Sequence, residues 1–189
     1  MNIGLFFGSF NPVHLGHVNV ISKILNEEIF DQLWIILSPR SPHKTHDLAK
    51  KNLRLKMLEL AFNKFKNVLI SDVEFKLSEP NFTFNTLSFL TSKFPSYKFS
   101  IIMGSDNLQN LHTWKDYKKI NENFFIYVYP RGKFEIKNKL KYKNVINLTL
   151  PKLNISATEI RKNISINLQE AKKNLPSEVY SYILKNRLY

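Results

Sequence analysis

Short apolar runs alternate along the chain with stretches in which apolar residues recur every three or four positions. The runs predict buried β-strands at residues 3–7, 33–37, 68–70, 99–103, 124–129 and 145–150. The stretches between them predict helices at residues 15–25, 52–65, 82–93 and 114–120. Regular alternation of strand and helix is typical of βαβ units. The pattern therefore predicts an α/β fold with a doubly wound parallel sheet, whose ligands bind beyond the carboxyl ends of the strands.

The last quarter of the chain has a different pattern, with three short helical segments at 156–162, 168–175 and 176–186 and no apolar run between them. Pro176 suits the first position of the last helix. With 189 residues, the chain has the length of one well-cored domain. We therefore expect a single domain over 1–189, made of a core at 1–150 and a small C-terminal helical appendage at 151–189.

The charge is strongly basic, with 28 Lys and Arg against 15 Asp and Glu and a net charge of +13. Such a balance favours nucleic acid, an anionic membrane or a phosphate-rich ligand as a partner. However, 23 of the 28 are lysines, and the chain is also rich in Asn, Ile and Phe, the residues of A/T-rich codons. Composition can supply much of this charge, so its position matters more than its sum. The lysine-rich segment 131–143, with six basic residues and Glu135, is predicted to be a solvated loop.

The chain has no cysteine, which excludes disulfides, cysteine-ligated zinc, iron–sulfur clusters and thiol catalysis. Its first residues lack the basic region of a signal peptide, and no stretch approaches the ~18 apolar residues of a membrane span. We expect a cytoplasmic protein.

The segment GSFNPVHLGH at 8–17 directly follows the first predicted strand. Gly8 and Ser9 allow the backbone to turn closely around a ligand, and Pro12 stiffens the loop. The next helix would direct its N-terminal N–H groups at an anion. If helical geometry begins at His14, then His14 and His17 lie on one face, where two imidazoles suit a phosphate. Two solvated histidines are the alternative reading, and a metal site would need a third ligand that the neighbourhood does not offer.

This segment resembles the [GS]-[TS]-F-[DN]-P-x-H-x-G-H signature of the nucleotidylyltransferase superfamily, which transfers a nucleotide from an NTP to a phosphate-bearing acceptor. Within it, bacterial nicotinate-nucleotide adenylyltransferases resemble the chain in three further segments. These are NISATEIR at 154–161, MGSDN at 103–107 followed by Trp114, and LPSEVYSYI at 175–183 followed by the Leu–Tyr pair at 188–189. The resemblance runs from residue 2 to residue 189, is weakest over 133–150, and implies a Rossmann-like fold.

The resemblance implies transfer of AMP from ATP to nicotinate mononucleotide, giving nicotinate adenine dinucleotide and pyrophosphate in NAD biosynthesis. ATP and nicotinate mononucleotide would be the partners, without nucleic acid or membrane, and the protein would be a monomer or homodimer. Mg²⁺ is expected to bind through the ATP phosphates, with no metal site made of protein ligands.

The resemblance also implies roles for individual residues. Catalysis would depend on His17, nearest the α-phosphoryl group, with His14, Lys44 and a bidentate Arg161 on the phosphates. ATP would contact Gly8, Ser9, Phe10, His14, Gly16, His17, Gly104, Asp106, Ile155, Ser156, Thr158 and Arg161. The acceptor would contact Asn11, Lys44, Thr83, Thr86, Asp106, Trp114 and Arg131.

The chain departs from the family pattern in two places. The loop at 38–44 is a residue shorter than usual and lacks an asparagine. The segment NFTFNT at 81–86 stands where S-Y-T-x-[DQ]-T is usual, so a tyrosine hydroxyl and a carboxylate or amide are lost. Both changes fall on the acceptor side.

Two rival functions are distinguishable by simple means. Phosphopantetheine adenylyltransferases share the H-x-G-H motif but tend to be shorter and lack the combination of G-x-D…W with the closing motif. A non-enzymatic nucleic-acid-binding protein would interleave basic residues with exposed aromatics on one surface and bind with a steep salt dependence.

Overall fold

The computed structural model describes residues 1–39, 48–132, 142–151 and 154–189. Six parallel strands form one sheet in the order β3-β2-β1-β4-β5-β6. They are β1 (Asn2–Gly8), β2 (Gln32–Leu37), β3 (Val68–Ser71), β4 (Lys98–Gly104), β5 (Phe125–Tyr129) and β6 (Val145–Asn147). The prediction of a doubly wound parallel sheet is confirmed.

Eight α-helices lie in the described residues and cover both faces of this sheet. They are α1 (Leu15–Asn26), α2 (Lys51–Phe62), α3 (Thr83–Lys93), α4 (Ser105–Gln109), α5 (Tyr117–Asn123), α6 (Ala157–Ile166), α7 (Leu168–Lys173) and α8 (Ser177–Lys185). Buried residues of α1, α2, α6 and α8 share one core, and those of α3, α4 and α5 share the other. Strand β2 serves both, since Leu33, Ile35 and Leu37 enter the first core whereas Trp34 and Ile36 enter the second. Burial on both faces explains why the strands read as unbroken apolar runs.

The direction of winding reverses between β1 and β4. Strands β2 and β3 continue to one side of β1, and β4 to β6 continue to the other. The two central strands are in register, with Leu5 beside Ile101 and Phe6 beside Ile102. They end at Gly8 and Gly104, and the loops that follow them diverge to opposite faces of the sheet. This divergence opens a crevice at the carboxyl edge, the usual ligand site of such sheets.

The helical C-terminal part is present as predicted. From residue 154 to residue 189 the described chain forms α6, α7 and α8 without a strand. Val179 and Ile183 of α8 are buried in the core that also holds Met57 and Phe62 of α2. This part therefore packs directly on the outer helix of the sheet.

Some predicted boundaries were wrong. Helix α8 begins at Ser177, and Pro176 is its cap with an extended ψ of 143°, so the proline precedes the first helical position. Helix α5 begins three residues after position 114, because Asp116 has a φ of 54° that interrupts helical geometry. Helix α4 and the 3-10 turns at Val73–Lys76 and Leu111–Thr113 were not predicted.

Two further expectations concern the lysine-rich loop and the absence of a membrane-spanning segment. Residues 133–141 of the predicted solvated loop lie outside the described residues. In the part of the chain that is described, no helix is both long and apolar enough to span a bilayer.

Candidate active site

A cleft of about 600 Å³ opens at the carboxyl edge of β1 and β4. Its volume is in the range of small-molecule sites. The turn after β1, the segments after β4 and β5, and the N-terminus of α3 form its walls. The sequence-predicted residues that line it are Gly8, Ser9, Phe10, Asn11, His14, His17, Thr83, Gly104, Asp106, Trp114 and Arg131.

Other predicted residues lie beside the cleft or elsewhere. Gly16 and Ile155 line a small adjoining cavity together with the two histidines. Ser156 caps α6, which begins at Ala157, and Ala157 reaches the cleft wall. The loop that carries Lys44 lies outside the described residues, so its predicted role remains a prediction.

The residues between β1 and α1, here named the histidine turn (residues 9–14), carry the motif into the cleft. Phe10 has a φ of 43°, in the left-handed region, and is only 3% exposed. Its ring lies over Gly8, where an added Cβ would approach within 2.9 Å of the ring edge. A side chain at position 8 would therefore displace the Phe10 ring, and the tight turn aims the following residues at the carboxyl edge.

The two histidines stack on one another at the start of α1, with ring centroids 3.7 Å apart and planes 23° from parallel. The helix begins at Leu15, so His14 is its N-cap and His17 stands in the first turn. The backbone N–H of His14 donates to Nδ1 of His17 at 3.2 Å. Because Nδ1 accepts this hydrogen bond, the neutral His17 ring carries its proton on Nε2. His17 therefore offers an Nε2–H donor.

His14 is buried, at 3% exposure, and burial lowers its pKa to about 3, with the positive charge of Arg131 acting in the same direction. His14 is therefore neutral at physiological pH, whereas the sequence left its charge open. The His14 side chain forms a capping box with His17 at the start of α1, but neither of its ring nitrogens makes a hydrogen bond of good geometry with the described residues. A buried polar group in this state is unusual and is suited to a ligand.

Across the cleft, Asp106 in the first turn of α4 pairs with Arg131. Arg131 Nη1 lies 3.4 Å from Asp106 Oδ2, and the Arg131 backbone N–H donates to Ser105 Oγ at 3.0 Å. Oδ1 of Asp106 is buried without a hydrogen-bond partner in the described part of the chain. Asp106 thus has one oxygen paired within the protein and one that can accept from a ligand.

Arg161 does not line the cleft in this structure. Its Nη1 donates to the backbone oxygen of Asn11 at 2.6 Å, and its Nη2 lies 3.3 Å from Thr158 Oγ1. Both terminal nitrogens therefore already serve protein oxygens. Arg161 thus supports the histidine turn in this structure, and its bidentate contact with phosphate stays a prediction.

Thr86 is also displaced from its predicted place beside the acceptor. It is fully buried, and its hydroxyl donates to Glu74 Oε1 at 2.9 Å. Helix α3 turns this side chain inward, so the surface that reaches the cleft here belongs to Glu74, Asn81 and Phe82. Thr86 positions a cleft residue and is not itself exposed to a substrate.

Glu74 itself was not foreseen. It is only 3% exposed, and burial raises the pKa of its carboxyl, although hydrogen bonds from Ser38 and Thr86 act in the opposite direction. Asn81 Nδ2 donates to the Glu74 backbone oxygen. No spacing rule marks this glutamate, because its environment comes from three separate segments.

Glu74→Gln is expected to be more stable than the wild type at pH 7, by an amount that shrinks at pH 4. Burial raises the folded-state pKa of Glu74 above the unfolded value of 4.5, so the folded protein must bury a charge as the pH rises past both values. The contribution of Glu74 to the stability of the wild type therefore falls from pH 4 to pH 7, and glutamine removes that contribution. Urea unfolding of both proteins at the two pH values measures it.

The matched control for this prediction is Glu122→Gln, which changes an exposed glutamate. Its effect on the urea midpoint should be small at both pH values. A Glu74→Gln variant that is less stable than the wild type at pH 7, with no gain relative to pH 4, would contradict the burial argument.

Arg54 is a buried arginine beside the cleft that no sequence pattern singled out. It is 2% exposed, and its guanidinium donates to four backbone oxygens. The acceptors are Ala49 and Ser9 at 2.8 Å, Ser38 at 2.8 Å and Pro39 at 3.2 Å. One side chain thus joins the ends of β1 and β2 to the start of α2. The available signal was its position on the apolar face of α2, three and four residues before Met57 and Leu58.

Trp114 is half-buried and lines the cleft beside Lys115. The Lys115 ammonium lies 4.8 Å from the centre of the Phe82 ring. Phe82 and Trp114 thus give this wall of the cleft two aromatic surfaces, together with a positive charge.

No three His, Asp or Glu side chains lie close enough to hold a metal ion within residues 1–39, 48–132, 142–151 and 154–189. A cation at this site would therefore depend on ligands other than the described side chains.

Comparison with known proteins gives a consistent set of relatives. The family model described as cytidylyltransferase-like matches residues 5–163. The probable nicotinate-nucleotide adenylyltransferase of Flavobacterium psychrophilum is 42% identical over 192 residues, covering 100% of this chain and 99% of its own length. That of Flavobacterium johnsoniae is 40% identical over 194 residues, with 100% and 99% covered.

The fold has a solved counterpart in Plasmodium falciparum nicotinic acid mononucleotide adenylyltransferase complexed with NaAD. The two structures superpose with a TM-score of 0.88 over 100% of this chain and 97% of the other, at 24% sequence identity. At this identity the likeness bears on the fold, and it extends over the sheet and the C-terminal helices alike.

Proposed function

The chain belongs to the cytidylyltransferase-like family and, within it, to the nicotinate-nucleotide adenylyltransferases, and from this membership we propose how its residues carry out the reaction. The protein is an ATP-dependent nucleotidyltransferase. It transfers AMP from ATP to nicotinate mononucleotide, giving nicotinate adenine dinucleotide and pyrophosphate for NAD biosynthesis. The observation that carries the assignment of chemistry is the stacked pair His14 and His17 at the N-terminus of α1, beside the switch point of the sheet.

The reaction needs no protein nucleophile. A phosphate oxygen of nicotinate mononucleotide attacks the α-phosphorus of ATP, a new P–O–P bond forms, and the bond to the β-phosphate oxygen breaks to release pyrophosphate. The acceptor is already anionic, so no general base is required. The site must align two polyanions and stabilise charge on the α-phosphoryl oxygens and the leaving group.

The ATP side of the cleft is assigned to the histidine turn and to α6. His17 Nε2–H donates to an α-phosphoryl oxygen, and neutral His14 gives a second donor from a buried position. N–H groups at the starts of α1 and α6 face the remaining phosphates, with Ser156 and Thr158 at the second of these. Gly8, Ser9, Phe10, Gly16, Gly104 and Ile155 shape the walls. Lys44 and Arg161 complete the phosphate contacts, Arg161 by exchanging a protein acceptor for a phosphate oxygen.

The acceptor side is assigned to the opposite wall. The unpaired oxygen of Asp106 accepts from a ribose hydroxyl, and Trp114 stacks on the pyridine ring. The Thr83 backbone N–H at the start of α3 meets the nicotinate carboxylate, with Arg131 nearby as a counter-charge. Asn11 lies where the two substrates meet. Backbone donors do not depend on the side chains at 82 and 85, so those departures from the family motif leave this contact in place.

Mg²⁺ is proposed to bind through the ATP phosphates and water. The support for this mode is that the described residues hold no cluster of three His, Asp or Glu side chains that would bind the ion directly. When bound, the ion neutralises phosphate charge and so favours departure of pyrophosphate.

The remaining expectations are also proposals. We propose one domain over 1–189, in support of which α8 and α2 share a core with the sheet. We further propose a cytoplasmic monomer or homodimer that works without a membrane or nucleic-acid partner. The support is that the basic residues named in the cleft are few and that the other lysines are spread over the chain.

Pyrophosphate release with ATP and each of three acceptors tests the substrate assignment. Nicotinate mononucleotide should exceed nicotinamide mononucleotide and phosphopantetheine in kcat/KM by about 10-fold or more, since a charge-assisted hydrogen bond to the carboxylate contributes about 1.5–3 kcal/mol. Equal rates with the first two acceptors would overturn the acid preference. A preference for phosphopantetheine would overturn the proposed acceptor altogether.

A further inference from the structure

Tyr189 contacts Asn11 of the histidine turn, although the two residues are 178 positions apart in the sequence. The Tyr189 hydroxyl donates to Asn11 Oδ1 at 2.6 Å. The backbone N–H of Ala49 donates to the same oxygen at 3.0 Å. Asn11 is 2% exposed, so this contact is shielded from solvent.

The orientation of the Asn11 amide follows from these contacts. A backbone N–H can only donate, so the atom that faces Ala49 must be the amide oxygen. The hydroxyl of Tyr189 then has to donate to the second lone pair of that oxygen. Burial raises the pKa of Tyr189, so the phenol keeps its proton at any pH at which the enzyme is used. The two donors together hold the side chain of Asn11 in one orientation.

The contact with Tyr189 differs in kind from the other restraints on the histidine turn. Arg54 donates to the backbone oxygen of Ser9, and Arg161 donates to the backbone oxygen of Asn11. Both therefore hold the main chain. Among the described residues, Ala49 and Tyr189 are the ones that hold the side chain of Asn11.

Asn11 lines the cleft and lies three residues before His14. Catalysis of this kind depends on donors that are already placed where charge develops. An Asn11 side chain that could rotate would leave a buried oxygen without its donor and would loosen the residues that set the position of His14 and His17.

We propose that the Tyr189 hydroxyl is a positioning group for adenylyl transfer, which fixes Asn11 and through it the histidine turn. The hydroxyl does not touch the reacting atoms. Because the donors of the turn act most strongly where charge develops in the transition state, its effect is larger on the rate of the chemical step than on the affinity for ATP. This inference rests on the proposed function for its kinetic test, and on the turn itself for its structural test.

The experiment compares Tyr189→Phe with Tyr182→Phe. Each substitution removes one hydroxyl oxygen from a half-buried tyrosine, and the Tyr182 hydroxyl has no partner in the described part of the chain. Tyr189→Phe should lower kcat by about 3- to 10-fold, the size of one lost hydrogen bond, and leave KM for ATP within about twofold. The melting temperature should fall by no more than about 4 °C, the size expected for one lost hydrogen bond in a chain of this length, and Tyr182→Phe should match the wild type.

A double-mutant comparison tests whether the hydroxyl acts through Asn11. Adding Tyr189→Phe to Asn11→Ala should cause no further loss of kcat, because the acceptor is already absent. A loss of kcat in that background as large as in the wild type would overturn the inference. So would a Tyr189→Phe variant whose kcat lies within about 1.5-fold of the wild type, or one whose melting temperature falls by much more than about 4 °C.

Hydrogen exchange of residues 9–17 gives a readout that does not depend on turnover. The amides of this segment should exchange faster in Tyr189→Phe than in the wild type or in Tyr182→Phe. If the wild type fails to use nicotinate mononucleotide, the proposed function is wrong, and this comparison still decides the inference. Unchanged exchange across the segment would overturn it.

Discussion

Replacing His17 with alanine is expected to lower kcat by about 10²- to 10³-fold, the effect of removing one preorganised donor to a developing oxyanion. The Nδ1 atom of His17 accepts from the His14 backbone, so its Nε2–H is already set as a donor before ATP binds. Alanine is well tolerated in a helix, and His17 stands on the partly exposed first turn of α1. The fold should persist. Steady-state pyrophosphate release, together with a melting curve, measures both parts of this expectation.

His112→Ala is the matched control for His17→Ala. His112 is exposed and lies on the 3-10 turn after α4, where a ring nitrogen contacts the Gln109 backbone oxygen at 3.0 Å. Its replacement should leave kcat unchanged. Activity of His17→Ala within about threefold of the wild type would refute the role assigned to His17, provided that the variant is folded.

The largest effect on stability is expected from Arg54→Met. The methionine roughly fills the space but leaves four backbone oxygens, at the ends of β1 and β2 and the start of α2, without their donor. Each buried acceptor left unpaired costs about 1–3 kcal/mol, although water or small shifts will satisfy some of them. We expect the free energy of unfolding to fall by about 3 kcal/mol or more, measured by urea denaturation.

Two further variants separate the causes of this loss. Arg54→Lys keeps the positive charge without the planar fork and should fall between wild type and Arg54→Met. Lys56→Met changes an exposed residue of the same helix and should cost less than about 0.5 kcal/mol, since its ion pair with Glu59 is solvent-exposed. An Arg54→Met variant within about 1 kcal/mol of wild type would show that the four hydrogen bonds are replaceable.

The sheet could be predicted from the sequence because its central strands β1, β2 and β4 are buried on both faces and therefore consist of mostly apolar residues. Alternation of strands with helices then restricts the topology to a few parallel arrangements. Helix α4 could not be predicted in the same way, since five residues contain too little of the helical period. Helix α5 starts late because the backbone of Asp116 is in the left-handed region. The presence of an aspartate is not enough to predict that conformation.

The candidate site was predictable where the chain is locally continuous. The motif at 8–17 fixes which residues enter the cleft, because a turn and a helix start determine their directions. Three further residues act through contacts with segments that are distant in the sequence, namely Arg54, Glu74 and Tyr189. A local sequence pattern does not predict such contacts. The roles of Thr86 and Arg161 depend on which way a side chain points from its helix. The spacing of residues predicts which face of a helix a side chain lies on, but it does not predict which residues of other segments pack against that face.

The charge state of the cleft residues depends on burial and pairing in the folded structure. The sequence suggested a cationic phosphate site with two histidines of undetermined charge. Burial keeps His14 neutral, and Arg131 shares its charge with Asp106. The phosphate binding proposed for the histidine turn would therefore depend on directed N–H donors as well as on fixed positive charge.

The hydrogen bonds of Asn11 to Arg161 and Tyr189 span 150 and 178 positions of the chain. The six strands of the described sheet all lie within the first 147 residues. During synthesis, the sheet can therefore begin to assemble on the ribosome before Arg161 and Tyr189 have been added. The histidine turn would meanwhile lack two of its restraints. A nascent chain can therefore assemble its sheet before the histidine turn gains the last two of its restraints.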